Sequence, residues 1–221
     1  MDFSSFSPAL VVTVVVGLAL APFVAVMVTS FTKIVVVLSL LRNALGLQQV
    51  PPNIVINGLA IILSVYVMNP VIVATHDAVQ DKLREQPEAV MDVDRMLGLV
   101  EAGKEPLREF LIRHSTEEER AFFLNGAQRL LPKDRRASVS IDDYIVVVPA
   151  YTVNELTEAF QIGFLIFLPF LIIDLVVSNI LLAMGMMMLS PTTVSLPFKL
   201  LLFVFLDGWA KLVHGLILTY G

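Results

Sequence analysis

Five polar or charged side chains, Asp174, Asn179, Lys199, Asp207 and Lys211, lie within tracts that are otherwise apolar. A charge at the centre of a bilayer costs on the order of 2.5–3.5 kcal/mol even on lenient insertion scales. Such groups therefore either couple an ion or solute to transport or pair inside a protein assembly. Asp207 and Lys211 are four residues apart, the spacing that lets two side chains meet on one helix face. Lys199 and Asp174 have no local partner at that spacing, and each needs one from another helix, another subunit or water. Lys199 also follows Pro197 at the start of an apolar segment, where the helix dipole disfavours a cation.

Enzyme chemistry finds no foothold. His76, His114 and His214 are scattered, and none has a metal-ligand spacing. The nucleophile-elbow, phosphate-loop and dinucleotide glycine patterns do not occur. There is no cysteine, which excludes disulfides, thiolate metal sites and a thiol nucleophile. The expectation is a protein with no catalytic residue, no metal and no cofactor.

A different kind of function is written in Met184-Gly185-Met186-Met187-Met188-Leu189-Ser190-Pro191. A connection between membrane segments is normally polar, whereas this one is apolar throughout. Methionine is unbranched and polarizable, so a cluster of it adapts to irregular shapes. The stretch is either a greasy turn packed under neighbouring helices or a deformable surface that closes on something variable.

The elements that must hold these residues follow from composition. The chain has 221 residues, of which 57% are apolar and 16% charged, far from a soluble average. The formal charge of −5 is confined to residues 76–155, which hold 16 acidic and 11 basic residues. No basic surface for nucleic acid results. Residues 8–28 and 54–74 are each long enough to cross roughly 30 Å of hydrocarbon, with Pro22 predicting a kink in the first. Lys33 to Arg42 forms a shorter apolar helix, a continuation past a bend or an interfacial segment. Apolar tracts at 159–188, broken by Pro169, and 198–218 complete four naive spans in two hairpins. Lys33 and Arg42 would then be cytoplasmic and the acidic insert external.

Between the hairpins, the insert reads as short solvated helices. Pro87 opens a helical pattern that Gly103 ends, Ser115 and Thr116 offer overlapping capping boxes, and Thr152–Glu155 offers another ahead of the third tract. The fold class is all-α, divided as 1–75, an N-terminal apolar helical hairpin; 76–150, a charged soluble insert; and 151–221, a C-terminal apolar hairpin. The start, Met1-Asp2-Phe3, lacks the basic residues of a cleavable secretory signal, so the first segment reads as mature protein.

Several stretches resemble one family. They are Thr29–Ile34, Leu41–Gly46, Gln49–Asn53, Ala159–Phe164, Met184–Pro191, Ser195–Lys199 and Asp207–Trp209. Together they are similar to the FliP/SctR family of export-gate proteins in bacterial flagella and type III secretion injectisomes. Ser190-Pro191, where flagellar members tend to have two prolines, and the missing signal peptide point to the injectisome branch. The resemblance implies a non-enzymatic subunit, present as a homo-pentamer and joined by SctS-like and SctT-like partners in a helical export gate at the needle base. It implies a bacterial inner-membrane complex, largely on the periplasmic side, through which unfolded substrate proteins pass. Met186, Met187 and Met188 would form the pore gasket. Lys199 would find its carboxylate on a neighbouring subunit or helix, with Glu155 the leading candidate and Asp174 the second. The competing reading is an ion or solute transporter using Asp174, Asn179 and Lys199, which calls for inverted repeats that the two hairpins do not show. A weaker one is an intramembrane hydrolase, for which no nucleophile and base present themselves.

Overall fold

A computed structural model of the chain describes residues 8–85, 93–186 and 188–221. Its described residues form eight α-helices and a short 3-10 turn, and no strand occurs among them. In chain order they are α1 (Pro8–Val28), α2 (Phe31–Ala44), α3 (Asn53–Glu85), α4 (Val93–Arg113), α5 (Glu117–Leu130), α6 (Tyr144–Ala183), α7 (Pro191–Phe205) and α8 (Gly208–Leu218), with the 3-10 turn at Arg136–Ser138 between α5 and α6.

The organising element is α2, which follows α1 across a bend of 77°, the first of the two arrangements its sequence allowed. Ile34, Val37, Leu38, Leu41 and Ala44 recur at the three-and-four spacing of one helix face, and all are buried. That stripe packs along α6 and also meets α3. Its upper part joins Ile56, Ala60 and Leu63 of α3, Ala159 of α6 and Leu216 of α8. Its lower part, with Leu45, joins Phe170 of α6 and Phe203 of α7. A third cluster brings Val28, Met68, Phe110, Leu111, Val147 and Tyr151 together from α1, α3, α4 and α6.

Close approach of α2 to α6 depends on Gly163. A Cβ built there falls 2.2 Å from Leu40 Cδ1 and 3.2 Å from Leu40 Cβ. The end of α2 is fixed by Gly46, whose φ of +76° suits a residue without a side chain. Arg42 then ties the following loop down, its guanidinium donating to Asn53 Oδ1 at 2.6 Å.

Several expected breaks are absent. α3 continues from the apolar run to Glu85, and α6 begins at Tyr144, so both expected boundaries, 75/76 and 150/151, fall inside helices. Thr152 is consequently mid-helix and caps nothing; its hydroxyl donates to Val148 O at 2.8 Å. Pro149 and Pro169 lie within α6, Pro106 within α4 and Pro197 within α7. A proline costs a helix one hydrogen bond but does not end it where packing on both sides holds the backbone. Gly103 likewise does not end α4; it lies against Val79 and Thr75 of α3, at a contact too close for a larger residue to enter freely. Pro87 lies outside the described residues. The Thr116 cap is present, its Oγ1 accepting from the Glu119 N–H at 3.4 Å.

By length and composition α3 and α6 can each cross a membrane. Two further pairs qualify only as bent units: the end of α1 with α2, bent by 77°, and α7 with α8, bent by 61°. The chain exposes 14872 Å². A globular monomer of 24.4 kDa would expose about 10,000 Å². Much of the surplus is apolar, including Phe160, Phe164, Leu165 and Ile172 of α6 and Phe198, Val204 and Phe205 of α7. A surface of this kind requires cover by lipid or protein.

Candidate functional site

Five charged residues form two clusters at opposite ends of α2: Lys33 with Glu155 and Glu158, and Lys199 with Asp174. At its start, Lys33 is fully buried, with Nζ 3.0 Å from Glu155 Oε1 and 2.8 Å from Glu158 Oε2. Glu155 and Glu158 are three apart on α6 and so present both carboxylates to one cation. The Tyr220 hydroxyl donates to Glu155 Oε2, and Lys33 Nζ sits 3.9 Å above the Tyr220 ring centroid. Asn154 donates to Glu158 Oε1 and to His114 O, each at 3.0 Å, linking the pair to the α4–α5 junction. The same Tyr220 ring stacks near Phe110 and meets the edge of His114 at 5.1 Å. Burial among these rings holds the His114 imidazole below its ordinary pKa, with the positive charges of Lys33 and Arg113 adding to the effect and Glu158 opposing it.

At the other end of α2, Lys199 of α7 is 4% exposed and pairs with Asp174 of α6 at 2.6 Å. Its ammonium also donates to Ala44 O at 3.2 Å, so it neutralises the C-terminal end of the α2 dipole. Ser195 donates to the second Asp174 oxygen at 2.5 Å. Each polar atom in this apolar setting thus has a partner, as burial demands.

Within the chain, then, Lys199 meets Asp174, and Glu155 meets Lys33 instead of Lys199. The separation is geometric: Lys33 and Ala44 are eleven residues apart on α2, about 16 Å at the helical rise. The expected helix-face pair is also not formed. Asp207 sits at the α7–α8 turn with φ +51°, outside the regular helix, and neither it nor Lys211 has an ion-pair partner among the described residues. Asn179 is exposed on α6. Lys33, Glu158 and Tyr220 carry the upper cluster, and no motif in the sequence marked them as a unit. The available signal was the carboxylate pair three apart on an apolar helix, which has to face a cation.

The methionine turn is built by a helix cap. Gly185, with φ +71°, follows α6; its N–H bonds Leu182 O and the Met186 N–H bonds Leu181 O, the paired bonds of a Schellman ending. Pro191 then starts α7 at a position where no N–H is needed. Met184, Met186, Met188 and Leu189 are exposed, Met188 fully. Met187 lies outside the described residues.

Comparison with known proteins completes the assignment. The model of the FliP family matches residues 14–216. The chain belongs to the FliP family. It is 53% identical over 204 residues to Yop proteins translocation protein R of Yersinia pestis, covering 92% of each chain. It is 49% identical over 209 residues to hypersensitivity response secretion protein HrcR of Ralstonia nicotianae, covering 95% of each. It is 44% identical over 215 residues to virulence protein YscR of Salmonella typhimurium, covering 97% of each. These relatives of the FliP-family chain are injectisome proteins of the SctR type, components of type III secretion. Family and fold agree on an all-helical, membrane-associated secretion component.

Proposed function

We propose that this FliP-family protein is the core subunit of a gated pore through which unfolded proteins leave across the bacterial inner membrane. The observation that carries the reading is the methionine turn: a capped helix end at which Met184, Met186 and Met188 are exposed. In a ring of copies those thioethers would meet at the axis and exclude water by dispersion contacts, which no specific hydrogen bond must be broken to open. Met186, Met187 and Met188 are the gasket in this reading. The uncovered apolar faces of α6 and α7 supply the surfaces on which further copies and SctS-like and SctT-like partners pack. The complex would sit largely on the periplasmic side, with inner-membrane lipids around its base.

A contact between Glu155 of one copy and Lys199 of the next belongs to the same proposal. It requires Glu155 to share or exchange Lys33 on assembly. Native mass measurement of the purified particle tests the reading. A heteromeric complex with five copies of this chain supports it, and a lone monomer or dimer supports the transporter built on Asp174, Asn179 and Lys199.

A further inference from the structure

Between α6 and the bent pair α7–α8 lies a cleft of about 430 Å³, walled by Ile166 and Phe170 of α6, Leu202 and Phe203 of α7, and Leu212 and Gly215 of α8. Ordinary ligand pockets enclose about 300–1,000 Å³. Walls of this composition hold water poorly and favour an apolar guest. One charged side chain lines the cleft, that of Lys211, which is exposed and has no ion-pair partner among the described residues. Asp207, the nearest acid along the chain, does not line it. Trp209 stands at the same bend, its ring 5.5 Å from that of Phe203. Tryptophan and lysine are the side chains that settle where an apolar environment meets water.

We propose that this cleft binds an anionic phospholipid, with an acyl chain laid against Phe170, Leu202 and Leu212 and the phosphate held by Lys211. Charge complementarity decides the occupant. An apolar side chain from a second copy would fill the cleft and leave the Lys211 ammonium without a counter-charge. A zwitterionic lipid would bring a cation of its own to the same place. Gly215 keeps the cleft open, since a Cβ built there meets nothing within 4 Å. The site is separate from the methionine turn, and it does not depend on that turn being a seal.

Trp209 is the one tryptophan of the chain, and brominated acyl chains quench tryptophan fluorescence on contact. The test titrates the full chain, in neutral detergent micelles, with brominated phosphatidylglycerol or brominated phosphatidylcholine. The anionic lipid should quench at about fivefold lower mole fraction, the preference that one lysine near a lipid headgroup confers. Lys211→Gln should abolish that preference, and Gly215→Leu, which fills the cleft, should weaken quenching by both lipids. Gly215→Val serves where the larger side chain does not fold. Equal quenching of the parent by the two lipids overturns the proposal, as does an anionic preference that survives Lys211→Gln or quenching that survives the filled cleft. Native mass measurement of the assembled particle then tests occupancy: phospholipid retained by the parent and lost with Gly215→Leu supports the site. A particle of normal composition that retains no phospholipid means that a neighbouring copy fills the cleft, and overturns it. Neither measurement reads the methionine turn, so this site and the seal fail independently.

Discussion

Removing one partner of a buried ion pair is far more damaging than the pair is stabilising, because the other charge stays out of water. Lys33→Met should therefore cost about 3–5 kcal/mol of stability, since Glu155 remains enclosed. Glu155→Gln in the same chain should recover a large part of that loss, a coupling that thermal unfolding of the double and single variants would reveal. A double variant no more stable than Lys33→Met would contradict the pairing. His114 gives a pH dependence of opposite origin. Its imidazole binds protons less readily folded than unfolded, so its contribution is complete above about pH 6.5 and is lost as pH falls below that. Parent protein should lose melting temperature between pH 7 and 5 more steeply than His114→Gln. Parallel curves would show that His114 does not titrate against the fold.

Among the elements, the α2–α6 contact is the one most sensitive to a single atom. Gly163→Ala should destabilise by about 1–3 kcal/mol through overpacking against Leu40, and Leu40→Ala should relieve part of it in the double variant. Thermal melts showing Gly163→Ala at or above parental stability would mean that the helices part at no cost. The element scale also shows where sequence was sufficient. The long apolar helices, the bend after α1 and the Thr116 cap were legible because each rests on local pattern. The continuity of α6 through Pro149 and Pro169 was not, since propensity yields there to packing against α2 and α5. The central place of α2 was hidden for a related reason. A short apolar helix that carries Lys33 and Arg42 reads as either an interfacial segment or a continuation past a bend until the carboxylates that bury the lysine, 125 residues away in the case of Glu158, are known. Lys199 was recognised as needing a carboxylate, but which one depended on tertiary geometry that spacing does not encode.

At the scale of the whole molecule, the excess of exposed surface and its apolar character give the chain a reason to assemble. Family membership places it among type III secretion components, and in the proposed reading the capped methionine turn is the part of the assembly that closes. Ion conductance across a bilayer holding the assembled particle tests that claim most directly. With Met186, Met187 and Met188 all replaced by alanine, each copy loses the long thioethers that exclude water and leaves voids at the axis. A resting leak of small ions is expected in a particle of unchanged composition. Conductance equal to that of the parent, with assembly intact, would contradict it.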